Sequence, residues 1–527
     1  MINVSIAYYF QIIFYLLYVS YRSFLRMFLA YLLSILFAYT YGLYAATNKI
    51  AEKILLPILD ILQSVPILGF FPVAIVMVIS LFGNSIIGLE IAAIFLIFTS
   101  QSWNMAFGVY QSIKSIPEDL INSTKVFNIT GWKKFRSLLV PATIPSFVAN
   151  SMVSWAAGWF FLMAAEIITT NTNKRYYLPG LGSTMFIASS NGNIPLLAGA
   201  LVSLILIIIG MEFLIWKPLI KWSSKFKYDV SSMHEEDQMI THVERWERYI
   251  IKLITDFAAW IGSKASSLTI SRKDYTRLKK MLKYVATSIL LVVGWFILIV
   301  ISVTAWTVIH TPLPQMAYLI PLALGESTAR LVIAYLISLA WTIPVGYYIG
   351  KKKWGSETME TIAQIMGSIP ATAIYPVLLI AILVIGGLES VAIILILSGM
   401  QFYILFNVIA GVRSIPSDIE EAMRSYGVKG WLYWKRVILP AIFPFLITGS
   451  ITAFGGGWNA LIVAEFIEYK SHTYHVLGIG YLIDVGTTNY MLLYLSLFAM
   501  VLVVVLINKL LWRRLYHYSI KKYKIDV

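Results

Sequence analysis

Apolar runs of roughly 20 residues, the length a helix needs to cross a bilayer core, recur along the chain with few internal charges. They predict twelve membrane spans, near 5–20, 24–44, 66–82, 86–108, 141–165, 195–216, 284–308, 330–350, 370–387, 390–411, 440–465 and 490–512. The first run is short and is followed by Arg22 and Arg26, so a position on the membrane surface is its alternative. The fold class that follows is an all-α polytopic membrane protein.

The pattern repeats. Ala30-Tyr31-Leu32-Leu33-Ser34, Ser64-Val65-Pro66 and Pro72 recur as Ala334-Tyr335-Leu336-Ile337-Ser338, Ser368-Ile369-Pro370 and Pro376, at an offset of 304. Ser115-Ile116-Pro117, Gly131-Trp132, Pro141, Pro145, Gly158-Trp159 and Ala165-Glu166 recur as Ser414-Ile415-Pro416, Gly430-Trp431, Pro440, Pro444, Gly457-Trp458 and Ala464-Glu465, at an offset of 299. Six spans return a chain to its starting side, so the copies insert in parallel about a pseudo-twofold axis along the membrane normal. Three segments result: a first transmembrane domain (1–216), a connection (217–283) and a second transmembrane domain (284–527). Dense mixed charge marks the connection as cytoplasmic. Within it Val243, Trp246, Ile250, Leu253, Ile254 and Phe257 recur at near-helical spacing, which predicts one amphipathic helix.

The composition agrees: 59% of residues are hydrophobic, 13% are charged and the mean hydropathy is +0.77, values that no soluble domain could cover with polar surface. A net charge of +15 raises the question of nucleic acid. The cations instead gather in alternate connections, the positive-inside pattern: Lys114, Lys125, Lys133, Lys134 and Arg136 in one, Lys351–Lys353 in another, and Arg413, Arg424, Lys429, Lys435 and Arg436 in a third. With Arg513, Arg514, Lys521, Lys522 and Lys524 near the end, the twelve-span count puts both termini in the cytoplasm. Cysteine is absent, which excludes disulfides, thiolate metal sites and a cysteine nucleophile. No basic segment precedes the first apolar run, so it reads as retained.

The connection between the fourth and fifth spans carries the chemistry. In the second copy it runs from Ser414 through Asp418, Glu421, Ala422, Met423, Gly427 and Gly430 to Leu439-Pro440. Ser414 or Ser417 can cap a helix that Pro416 helps to start, acids favour its first turn, and Gly427 can end it in a left-handed conformation. The expected element is a short charged helical hairpin on the cytoplasmic face. The order Glu421-Ala422-Met423, Gly427, Val437, Leu439-Pro440 resembles the EAA loop of ABC importer permeases, with Met423 in place of the second alanine. That resemblance implies type I permease halves and a coupling helix seated in a separate ATPase, with Glu421 pairing a basic residue there. The first copy keeps the frame with Asn122, Asn128, Gly131 and Pro141. Asn128 tolerates the left-handed conformation, whereas Asn122 offers a neutral hydrogen bond where Glu421 offers a charged one. Two unequal docking sites follow.

Gly457-Trp458-Asn459, Ala464-Glu465 and Gly478-Ile479-Gly480, echoed by Gly158-Trp159, Ala165-Glu166 and Gly180-Leu181-Gly182, look like permeases of nitrate, sulfonate, taurine and bicarbonate importers. This resemblance implies a small anion as substrate, an ATPase dimer inside, which carries the ATP and Mg2+, and a substrate-binding protein outside. No cofactor is expected on this chain. Glu166 and Glu465 border the outer ends of the fifth spans, where a gate contact and a structural ion pair are both open. Trp159 and Trp458 can stack on a ligand or pack helices, and Asn104, Gln401 and Asn407 can line a polar path or bond between helices. Leu397-Ser398-Gly399-Met400-Gln401 and Gly350-Lys351 mimic ATPase motifs without a phosphate loop, and His472 with His475 lacks a metal-binding spacing. A secondary transporter with parallel repeats is the alternative reading, and in it the EAA loop has no purpose. A membrane enzyme would need clustered acids or histidines within the spans.

Overall fold

The computed structural model describes residues 2–64, 66–69, 71, 75, 85–169, 175–226, 312–351, 356–373, 387–469 and 472–523, with isolated positions between 249 and 306. Among the described residues each half contributes seven helices and one small hairpin in the same order. The first half holds α1 (Ile2–Thr47), α2 (Lys49–Ser64), α3 (Ile86–Lys114), α4 (Glu118–Val126), α5 (Gly131–Ala165), β1 (Ile167–Thr169), β2 (Arg175–Tyr177), α6 (Leu181–Ser190) and α7 (Ile194–Phe226). The second holds α8 (Gln315–Lys351), α9 (Ser356–Ser368), α10 (Leu388–Arg413), α11 (Ser417–Ser425), α12 (Gly430–Ala464), β3 (Phe466–Tyr469), β4 (His472–His475), α13 (Ile479–Gly486) and α14 (Tyr490–Ser519). Among the described residues eight helices are long and apolar enough to cross a membrane: α1, α3, α5, α7, α8, α10, α12 and α14. Their outward positions are apolar, with Phe14, Leu36, Leu206, Phe498 and Leu502 exposed, as lipid contact requires.

The two runs at 5–20 and 24–44 do not form separate spans. They lie on one uninterrupted helix, α1, because Arg22 and Arg26 turn inward to ion-pair with Glu90 and no residue between 20 and 24 breaks the backbone hydrogen bonding. Helix α7 likewise continues past 216 through a π turn to Phe226, into the expected connection. The amphipathic helix expected at 243–257 and the span at 284–308 fall outside the described residues apart from isolated positions, as do most of 66–82 and 370–387.

Close helix approach follows the repeat. A Cβ at Gly42 would strike Ala106 and Val109, and one at Gly346 would strike Leu405 and Val408, so α1 runs alongside α3 as α8 runs alongside α10. Gly158 lets α5 approach Met27 and Gln101, and Gly457 lets α12 approach Leu331 and Met400. One contact is repeated with its partners exchanged. Gly108 of α3 faces Asn150 of α5, whereas Asn407 of α10 faces Gly449 of α12. Small against large fills the same volume from either side.

The halves meet through the elbow after α2 and its counterpart after α9. Gly69 lies on Ile462, Leu497 and Met500 of the second half, and Ile365, Ile369 and Ala373 join the core of the first. The two contacts differ at one position. Asn459 Oδ1 accepts from the Leu68 backbone N–H at 3.3 Å, whereas the equivalent Phe160 is apolar and packs on the second half's core. Replacing Asn459 by Leu orphans a buried N–H and is expected to cost about 1–2 kcal/mol. Thermal unfolding of the purified chain checks this, and an unchanged midpoint would refute it.

Candidate functional site

Two features are built twice, a buried ionic cluster at one end of each half and a helical hairpin at the other. In the first cluster Glu166, one residue beyond α5, is fully buried and accepts from Ser23 Oγ at 2.5 Å, Arg26 Nη1 at 2.8 Å and the Gly182 N–H at 2.6 Å. Arg26 also donates to Glu90 through Nε and Nη2, at 2.5 and 2.7 Å, and to the Pro179 carbonyl at 2.9 Å. Ser23 Oγ accepts from the Leu181 N–H at 2.8 Å. The second cluster repeats this with Glu465, Ser327, Arg330, Glu389, the Leu477 carbonyl and the N–H groups of Ile479 and Gly480. A buried carboxylate tolerates its desolvation only when paired and saturated with donors. Here each is, and the cluster pins α1, α3, α5 and α6, or α8, α10, α12 and α13, to one another. One difference stands out: Arg22 adds a second cation to Glu90 at 2.6 Å, whereas the second half has Glu326 at that place and Glu389 is 58% exposed.

The hairpins sit at the opposite ends of these helices. Helix α4 opens directly after Pro117 and α11 directly after Pro416. Ser414 does not cap α11; its hydroxyl donates to the Gly411 carbonyl and closes α10 instead. Asn128 and Gly427 adopt φ of +50° and +66°, and Gly131 and Gly430 adopt +61° and +59°. Two left-handed residues thus bracket each turn, which explains the glycine of Gly131-Trp132 and Gly430-Trp431. The chain then re-enters a helix through a π turn, Phe135–Leu139 or Trp434–Ile438. Pro141 and Pro440 follow at once; each lacks an N–H and crowds the preceding turn, which the wider π geometry accommodates.

The helix that leads into each hairpin is tied at its last residue to α2 or α9, the elbow helices. Lys114 Nζ donates to Glu52 at 2.7 Å and the Tyr110 hydroxyl adds a bond of the same length, so Glu52 is held below the usual carboxylate range by Lys114 first and Tyr110 next. In the second half Arg413, the equivalent of Lys114, donates to Glu360 at 2.7 Å. The acid has moved one helical turn, since Glu52 corresponds to Ser356. The cation keeps its place and finds a carboxylate on the same elbow helix.

Glu421 and Asp418 are exposed on α11, with Ala422 half-buried beneath them. Asn122 on α4 is exposed, and its Oδ1 accepts from Lys125 Nζ at 3.0 Å. Leu439 and Pro440 open the straight part of α12. Trp159 and Trp458 are each 1% exposed inside the cores of their halves, so they pack helices together, and Glu166 and Glu465 belong to the ionic clusters. Asn104 and Gln401 are half-buried; Asn104 Nδ2 lies 3.4 Å from Ser154 Oγ. Asn407 donates back to the Tyr403 carbonyl. Among the described residues no group of three His, Asp or Glu stands close enough to hold a metal ion.

The residues that sequence reasoning passed over are Ser23, Arg26 and Glu90, with Ser327, Arg330 and Glu389. The signal was present: Ser23-x-x-Arg26 and Ser327-x-x-Arg330 stand at the 304 offset, and Glu90 and Glu389 at 299.

A duplicated bundle of membrane-length helices with a helical hairpin at one face of each half is the architecture of a multi-pass membrane protein. The chain belongs to the family described as binding-protein-dependent transport system inner membrane component, whose profile matches residues 11–215 and 342–523. It is 33% identical over 172 residues, 30% of this chain and 60% of the relative, to an Escherichia coli (strain K12) protein provisionally named as an aliphatic sulfonates transport permease. It is 31% identical over 127 residues, 24% of this chain and 42% of the relative, to a bicarbonate transport system permease of Synechocystis sp. (strain ATCC 27184 / PCC 6803 / Kazusa). It is 28% identical over 160 residues, 30% of this chain and 54% of the relative, to a nitrate import permease of Leptolyngbya laminosa. The chain therefore spans roughly half the length of these relatives, by segments no longer than one of its own halves.

Proposed function

We propose that this chain forms the translocation pathway of an ATP-driven, binding-protein-dependent importer for a small anion, and that α4 and α11 are its docking elements for a separate ATPase dimer. The observation that carries this reading is the pair of hairpins, shaped by left-handed turns at equivalent ends of the two halves, each following a helix whose last residue ion-pairs with α2 or α9. ATP and Mg2+ belong to the partner, and the binding protein to the opposite face. The anionic substrate class rests on the relatives' names for sulfonates, bicarbonate and nitrate. The domain division is 1–216, 217–283 and 284–527, with Asn104 and Gln401 as pathway candidates.

With the hairpins inside, α1 is a single passage that begins outside. Helix α7 runs parallel to α1 and ends inside, and α8 begins outside, so the intervening chain crosses once more; 284–308 is the apolar run available. Counting the apolar runs at 66–82 and 370–387, which lie mostly outside the described residues, as spans makes this reading one of eleven crossings with the amino terminus outside, in place of the twelve spans and two cytoplasmic termini expected from the sequence.

Co-purification with an ATPase, and vanadate-sensitive uptake that requires it, test the reading; uptake retained without any ATPase would refute it. The two docking elements differ in charge. Replacing Glu421 by Ala removes a charge-assisted contact and is expected to lower coupled transport about tenfold, against about threefold or less for Asn122→Ala. Equal losses would overturn the inequality.

A further inference from the structure

The second hairpin has a contact that the first lacks. Lys351, the last residue of α8, reaches both arms of the hairpin: its Nζ lies 3.7 Å from Glu420 Oε1 on α11 and donates to the Tyr433 hydroxyl on α12 at 3.0 Å. The ammonium also lies over the Tyr433 ring at 4.5 Å and the Tyr347 ring at 5.6 Å, and Tyr347 packs on Trp434 at 4.6 Å. In the first half the equivalent positions are Thr47, Ile121 and Lys134. Thr47 Oγ1 donates to the Leu43 carbonyl of its own helix, Ile121 has no charge to offer, and Lys134 replaces the phenol that would accept.

We propose that Lys351 is a positioning residue that braces the second hairpin against the inner end of α8, so that displacement of α11 by the ATPase is passed to α8 through a polar bridge, while the first half has in its place the apolar packing of Ile121 on the core that includes Ala38 of α1. The inference rests on the reading that the hairpins dock an ATPase. The brace is half-exposed, so each contact in it is individually weak; its effect is on the geometry of force transfer and not on whether the chain folds.

The test uses the full chain assembled with its ATPase and binding protein in proteoliposomes, with whichever of labelled taurine, nitrate or bicarbonate the parent imports. ATP hydrolysed per tracer imported should rise about threefold for Lys351→Met, with the melting temperature and the amount of bound ATPase unchanged. The exchange Lys351→Glu with Glu420→Lys should recover most of that loss. Tyr433→Phe, which removes the hydroxyl that accepts from Lys351 and lies outside α11, supplies the same measurement if Lys351→Met fails to accumulate. An unchanged ratio in the single variants, or no recovery in the exchanged one, overturns the brace. A parent that imports tracer without ATPase overturns the docking reading instead.

Discussion

Replacing Arg26 by Met is expected to lower the stability of the chain by about 3–5 kcal/mol, the cost of stranding a buried charge when its partner is removed. Glu166 is fully enclosed and, among the described residues, Arg26 is its one cation; the other donors, Ser23 Oγ and the Gly182 N–H, are neutral. Glu90 loses two of its three bonds and keeps Arg22. Thermal unfolding in detergent should show a large fall in the midpoint. Adding Glu166→Gln should return part of it, because a buried amide needs no counter-ion. Arg330→Met should behave alike through Glu465, whereas Arg22→Met, which leaves Arg26 in place at Glu90, should cost under about 1 kcal/mol. A small effect at Arg26 would mean that the cluster does not hold the four helices.

Gly478→Ala should be the next most damaging change, at about 2–4 kcal/mol. Its backbone is extended, at φ −171°, so alanine meets no conformational penalty there. The cost is spatial. A Cβ at Gly478 would occupy the place of the Glu465 carboxylate, and one at Gly180 that of Glu166, forcing each acid off its donors. Gly210→Ala is the control, since no atom lies within 4 Å of the Cβ it would gain, and it should leave the melting midpoint unchanged. Equal effects at Gly478 and Gly210 would show that the glycine is not needed for the carboxylate.

These glycines mark how far the sequence could be read. Apolar runs and the double offset reveal a duplicated helical membrane protein, because a bilayer imposes length and composition on every span. The hairpins are legible too, since a left-handed turn restricts the residue to glycine or asparagine, as at Gly427 and Asn128. The ionic clusters were not, although Glu166 and Glu465 were singled out. Their partners lie 140 and 135 positions away in the chain, and an arginine at a span edge reads as a topology signal before it reads as a counter-ion. For the same reason Arg22 and Arg26 set the run at 5–20 apart as a short span or a surface segment, where the structure has one continuous helix. The brace at Lys351 was hidden by its presence in a basic run, where orientation accounts for every cation equally well.

The exchanged pair, Gly108 against Asn150 and Asn407 against Gly449, bears on the chain's history as well as its packing. Two copies of one fold in a single gene invite recombination between them. A crossover between α3 and α5 would set Gly108 against Gly449, leaving a void, and the reciprocal product would set Asn407 against Asn150, two amides in the space of one. Neither hybrid half would pack as its parents do. The two halves are therefore not interchangeable at this contact, although they share one fold.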